Sequence, residues 1–70
     1  MKRERVDSSV LSSVGYDEAT ATLEIAFREG GVYRYFQVPA SVYDELMSAE
    51  SHGRYFTDVI RPRFPFRRID

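Results

Sequence analysis

The chain has 70 residues, with ten Lys or Arg, eleven Asp or Glu, one His, no Cys and no Trp, and a net charge of −1. That length allows one small domain with a thin core, and the missing Cys excludes disulfides, thiolate metal sites and thiol nucleophiles. The single His rules out His-rich zinc sites, no apolar run approaches the roughly 20 residues of a membrane span, and the charged start MKRERVD leads into no apolar stretch, so a cytoplasmic protein without a secretory signal is expected.

In chain order, Ser8 to Tyr16 reads as a strand, with Val10, Val14 and Tyr16 at even spacing and with Ser and Gly disfavouring a helix. Asp17-Glu18-Ala19 reads as a turn. Thr20 to Arg28 alternates cleanly, with Leu23, Ile25 and Phe27 on one side and Thr22, Glu24, Ala26 and Arg28 on the other. Glu29-Gly30-Gly31 supplies the positive φ angles of a tight hairpin. Val32 to Val38, nearly all β-branched or aromatic, is the returning strand. A loop of Glu29 to Gly31 sets Phe27 against Tyr33 and Ile25 against Tyr35; a loop one residue shorter sets Phe27 against Val32 instead.

Pro39 ends this strand and opens a helix, where Ser41 and Asp44 suit the N-terminal turn. Val42, Tyr43, Leu46 and Met47 carry its apolar stripe to about Glu50. Ser51-His52-Gly53 interrupts it, and Tyr55, Phe56, Val59 and Ile60 repeat the spacing in a second short helix. Pro62 and Pro65 leave RPRFPFRRID as an extended tail. The expected fold is α+β: a three-stranded antiparallel meander followed by two short helices, β-β-β-α-α. It forms a single domain over 1–70, with a core at about 6–64 and basic termini at 1–5 and 61–70.

The residues offer little to catalysis. His52 sits between Glu50 and Arg54 in an expected exposed corner without a pocket, and reads as a solvated loop His. Ser8-Ser9 and Ser12-Ser13 lack a nucleophile-elbow context. Gly30-Gly31 joins two strands, whereas a phosphate loop needs a helix after it. Asp17-Glu18 and Asp44-Glu45 are adjacent acids that diverge, with no spacing that wraps Ca²⁺. The expectation is a non-enzymatic module with no metal and no cofactor.

Charge is uneven. Lys2, Arg3 and Arg5 face only Glu4 at the start, and Arg61, Arg63, Arg67 and Arg68 face only Asp70 at the end, while the middle holds nine acids against three Arg. Basic ends of this kind serve nucleic acid or acidic partners. Tyr33-Arg34-Tyr35-Phe36 places large planar groups on one strand. Tyr33 and Tyr35 then either stack on RNA bases or line the core, and Phe36 is the expected exposed ring. In the tail, Arg beside Phe64 and Phe66 fits either an RNA contact or a segment that closes the underside of the helices. The candidate nucleic-acid set is Arg34, Phe36, Arg54, Arg61, Arg63, Arg67 and Arg68.

The succession SSVLSSVGYD, TLEIAF, GGVYRYFQVP, VYDELMSAESHGRYF and VIR strongly resembles the KTSC domain, a bacterial domain of about sixty residues found alone or at the C-terminus of some lysyl-tRNA synthetases. Its Tyr-x-Tyr pattern falls on Tyr33 and Tyr35, its Gly-Tyr-Asp on Gly15, Tyr16 and Asp17, and its Val-Pro on Val38 and Pro39. Its Ser-x-Gly-x-Tyr-Phe falls on Ser51, Gly53, Tyr55 and Phe56. The resemblance runs from about Val6 to Phe64 and implies a stand-alone binding module. RNA is one implied partner; the alternative is a protein bound through the sheet edge or the helical pair.

Overall fold

The computed structural model describes residues 1–70. Five strands form one sheet: β1 (Glu4–Arg5), β2 (Leu11–Asp17), β3 (Thr22–Phe27), β4 (Val32–Tyr35) and β5 (Phe66–Arg68). They lie side by side in chain order, every neighbouring pair antiparallel. Between β4 and β5 the chain forms helices α1 (Ala40–Ser48) and α2 (His52–Tyr55), and α2 runs on into a π-helical turn over Phe56–Ile60.

The expected three-stranded meander is therefore the middle of a larger sheet. Both basic termini contribute edge strands: β1 pairs with β2, and β5 occupies the segment expected to be an extended tail. Each is only two or three residues long and dominated by Arg and other exposed side chains, so neither carries the alternation that marks a strand in a sequence. Both are stabilised by backbone pairing with a neighbour distant in sequence.

The hairpin register also differs from both expected pairings. The loop is Arg28-Glu29-Gly30, closed by Phe27 N donating to Gly31 O at 3.1 Å and Gly30 N donating to Phe27 O at 3.0 Å. Gly30 (φ 115°) and Gly31 (φ 90°) supply the backbone angles that this closure needs. Ile25 thus faces Tyr33 and Leu23 faces Tyr35, a slide of two residues from the pairing that sets Phe27 against Tyr33. An even slide leaves each side chain on its expected face. In β2 a bulge between Leu11 and Ser13 turns Leu11 inward and leaves Val10 exposed.

The helical break lies at Ala49–Ser51, and His52 and Gly53 are already helical. Ser51 caps α2, its Oγ accepting from Arg54 N at 3.2 Å. A Cβ on Gly53 would come within 3.0 Å of the Val10 side chain, so the glycine lets α2 lie directly on the segment before β2. His52 is half-buried with Nδ1 2.8 Å from Leu46 O, so it is a structural residue and not a solvated one. A carbonyl only accepts, so Nδ1 carries the proton and gives Leu46 O, which also accepts from Ala49 N, a second donor at the end of α1.

Helices cover one face of the sheet. Leu11, Val14, Leu23, Ile25 and Tyr35 from the strands meet Val38, Val42, Leu46, Phe56 and Ile60. The π turn, closed by Arg61 N donating to Phe56 O at 2.9 Å, brings both Phe56 and Ile60 into that core. The Phe56 ring meets Phe27 and Tyr35 edge-on, each at 5.3 Å between centroids.

The other face has no helix, yet Glu24 on it is only 4% exposed. Arg3 Nη1 donates to Glu24 Oε2 at 2.6 Å, and Arg34 Nε donates to Oε1 at 2.8 Å. Arg3 Nε also donates to Ser13 Oγ at 3.0 Å. The N-terminal segment crosses closely over Gly15, where a Cβ would lie 2.9 Å from Lys2 O. Burial by itself raises the Glu24 carboxyl, but hydrogen bonds from Arg34 and Arg3 outweigh it and hold the group below its ordinary value.

Two outcomes follow for stability. Phe56→Ala is expected to cost about 3–5 kcal/mol and to leave so small a domain largely unfolded in a urea or thermal melt followed by circular dichroism. A lowered carboxyl stabilises the fold above its unfolded value, and that contribution is lost as pH falls through the folded one. Wild-type stability should therefore drop as pH is taken from about 4.5 downward, and Glu24→Gln should show a shallower drop over the same window. Equal acid sensitivity in the two proteins would show that Glu24 is not the responsible carboxyl.

Candidate nucleic-acid interface

Where β4, β5 and the π turn meet, the covered face of the sheet opens into a cleft of about 470 Å³. Five rings line it: Phe27, Tyr33, Tyr35, Phe56 and Phe66. Register explains the grouping. Tyr35 lies opposite Phe66 and Tyr33 opposite Arg68, so adding β5 extends the aromatic face beyond the reach of the helices. Phe66 remains 57% exposed, with its ring 5.8 Å from Tyr33 and 5.5 Å from Tyr35. Tyr33 is half-buried between Phe66 and Phe27, the latter edge-on at 5.5 Å.

Two cations flank these rings. Arg68 Cζ lies 5.8 Å from the Tyr33 ring centroid, and its Nε donates to Asp70 O at 3.0 Å. Arg61, exposed after the π turn, lines the cleft beside Tyr35. Burial pushes the Tyr35 hydroxyl above its ordinary value; nearby Arg61 works against this and Tyr33 with it. Tyr35 thus stays a neutral phenol near neutral pH and brings a hydroxyl donor to the cleft. Glu29 also lines the wall and sets a negative charge against Arg61.

The seven residues expected to contact nucleic acid divide among several places. Arg61 lines the cleft, and Arg68 stands over Tyr33 in its wall. Arg34 and Arg67 are cross-strand neighbours on the opposite face of the sheet, with Arg34 held by Glu24. Phe36, expected to be exposed, is half-buried just beyond β4, where its N–H donates to Pro65 O at 2.9 Å. Arg54 pairs with Asp58 on the surface of the second helix at 3.7 Å. Arg63 stacks over Phe64, which packs against the core. Of the family Tyr pair, Tyr35 is core, and Tyr33 is half-buried against the core and lines the cleft.

Sequence reasoning missed the part played by Arg3 and Arg5, which β1 places on the uncovered face, and by Phe27 and Phe66 as walls of one cleft. β1 and β5 are too short for alternation to announce them, and the opposite faces of Phe66, Arg67 and Arg68 follow only once β5 has paired as a strand.

The other family positions have structural work. Tyr16 stacks on Tyr43 at 4.8 Å with rings 9° apart, and its hydroxyl donates to Val38 O at 2.6 Å. Asp17 Oδ1 accepts from Ala19 N at 3.0 Å and shapes the turn after β2. No group of three or more His, Cys, Asp or Glu is arranged to hold a metal ion, and no helix is long and apolar enough to cross a membrane.

Comparison with known proteins places these features in a family. The KTSC domain model matches residues 7–64. An uncharacterized protein of Stutzerimonas stutzeri is 44% identical over 71 aligned positions, covering all of both chains. The lysine–tRNA ligase of Nostoc punctiforme is 40% identical over 63 residues, which span 90% of this chain and 11% of the ligase. The crystal structure of a KTSC domain protein from Yersinia pestis superposes with a TM-score of 0.96 at 45% identity, covering 99% of this chain and 97% of the other. The pairing of Tyr33 with Tyr35, the close approaches at Gly15 and Gly53 and the cap at Ser51 are thus features of a chain that belongs to the KTSC domain family.

Proposed function

We propose that this protein is a non-catalytic module that binds single-stranded RNA, with one base stacked in the aromatic cleft and the adjoining phosphates held by Arg61 and Arg68. The observation that carries this reading is Phe66: a large ring left 57% exposed beside Tyr33, with guanidinium groups flanking the same opening. In a domain with so small a core, an aromatic surface that the helices do not use is available to a planar ligand. Bases stack on such rings whatever their identity, while Arg contacts phosphate. The neutral Tyr35 hydroxyl adds a donor for a base or sugar oxygen. The similarity to part of a lysine–tRNA ligase sets the domain beside a protein whose name includes tRNA.

A protein partner added at a sheet edge has less support. Both edges are short, and Arg5, Arg67 and Arg68 place charge on them, an arrangement that discourages strand addition.

The test is a titration of labelled single-stranded RNA, read by fluorescence anisotropy at two salt concentrations. Phe66→Ala should weaken binding by about 10-fold, since stacking one base contributes roughly 1–3 kcal/mol. It should cost under about 1 kcal/mol of stability, because the ring is mostly in solvent. Replacing Arg61 and Arg68 together by Ala should lower the dependence of log K on log salt by about 1.4, or 0.7 per phosphate contact. Absence of any signal at about 100 µM RNA and low salt would reject RNA binding.

A further inference from the structure

The uncovered face of the sheet carries a second concentration of positive charge, and it adjoins the cleft. Cross-strand pairing lines up Gly15, Glu24, Arg34 and Arg67 from β2 to β5, and Arg3 reaches into the same row from the N-terminal side. Arg5 lies on this face in the next row, opposite Ser13. Arg34 and Arg67 stand directly opposite each other, a like-charge pairing that destabilises a sheet unless an anion offsets it. Glu24 does not supply that anion to Arg67: Oε2 is taken by Arg3 and Oε1 by Arg34. Neither Arg5 nor Arg67 has a carboxylate within ion-pair distance. The doubly bound carboxylate instead holds two guanidinium groups in place and leaves the face with an excess of positive charge.

The short edge strand β5 joins this face to the cleft. Arg68 points to the cleft side over Tyr33, and Arg67, its neighbour in sequence, points to the uncovered side. We propose that a single RNA strand leaving the aromatic cleft turns around β5 and lays its phosphate backbone across the uncovered face, from Arg67 past Arg34 toward Arg5. This rests on the RNA reading of the cleft and adds to it a second, base-independent contact. The occupant follows from charge complementarity: the face carries the guanidinium groups of Arg3, Arg5, Arg34 and Arg67 against the one carboxylate of Glu24, an excess that suits repeated phosphates. Crossing from β5 to β1 covers about 19 Å at the usual spacing of strands, so a trinucleotide fills the cleft alone and a decanucleotide can reach both surfaces.

The experiment compares single-stranded RNA of three and of ten nucleotides on the full chain, with affinities measured across a salt series. The decanucleotide should bind more tightly and show the steeper salt dependence. Replacing Arg5 and Arg67 together by Ala should reduce the decanucleotide slope by about 1.4 and leave the trinucleotide unchanged. Both side chains are exposed, and a thermal melt of the double variant confirms that it is folded. Wild-type affinity and slope for the decanucleotide in that variant would overturn the path across the sheet and leave the cleft reading intact. An equal loss at both lengths would also overturn it, since the uncovered face would then not be an extension of the cleft. If Phe66→Ala leaves both lengths unaffected, the cleft reading fails, and the path that begins there fails with it.

Discussion

The Phe56 ring, wedged edge-on between Phe27 and Tyr35, is the contact on which the rest of the molecule depends. It is the largest buried side chain that the helical layer contributes to the core, and it comes from a π turn rather than a regular helix. The wider turn brings Phe56 and Ile60 inward together and releases Arg61 to the opening of the cleft. Phe56 also marks where the helical cover ends. Beyond it, Tyr33 and Phe66 continue the aromatic face with no helix above them. Core and cleft are thus one aromatic surface, and the helices are too short to cover all of it.

A sheet with helices on one side must solve its other face differently. A second apolar layer would need more chain than 70 residues provide. Here the solution is ionic: Glu24 is buried beneath Arg3 and Arg34, and a glycine at position 15 lets the first residues cross close enough to cover it. The desolvation of such a carboxylate is tolerated because both oxygens are hydrogen-bonded and both partners still reach water. Arginine is suited to that position, since its guanidinium spans a charge pair while remaining partly solvated.

The same device accounts for the charge distribution. An overall charge of −1 combines an acidic body with basic ends, and β1 and β5 draw those ends onto opposite edges of one sheet. Cations separated by most of the sequence then share a face with Arg34 from the middle of the chain. Acidic residues such as Glu18, Asp44 and Glu45 sit elsewhere, on the turn after β2 and along α1. Electrostatically, the domain has a basic sheet and acidic residues around the helical side, although the sum is near neutral.

Much was legible from residue order. Alternation in Thr22 to Phe27 assigned every side chain of β3 to its face, because that pattern is local and has period two. Pro39 placed the start of α1, and the apolar spacing of both helices named the residues that enter the core. The hairpin was legible as a hairpin, but its register was not. Arg28, Glu29, Gly30 and Gly31 allow several closures, and the packing of Tyr33 and Tyr35 against β3 chose among them. His52 read as a loop residue because nothing nearby in sequence announces its bond to Leu46 O, which forms only when α2 folds back on α1.

By itself, then, the sequence determined the three central strands and the two helices, the faces of β3 and β4, the family and the absence of any thiol chemistry. All of these depend on local periodicity, on composition or on motifs that lie close together in the chain. Only the tertiary structure decided that the two Arg-rich ends are strands, that Arg3 and Arg34 meet on Glu24, and that Phe66 faces Tyr35 while Arg67 faces Arg34. Those pairings join residues 8 to 35 positions apart. Their stability comes from backbone hydrogen bonds and ion pairs that exist only once the sheet has assembled, so no local pattern records them.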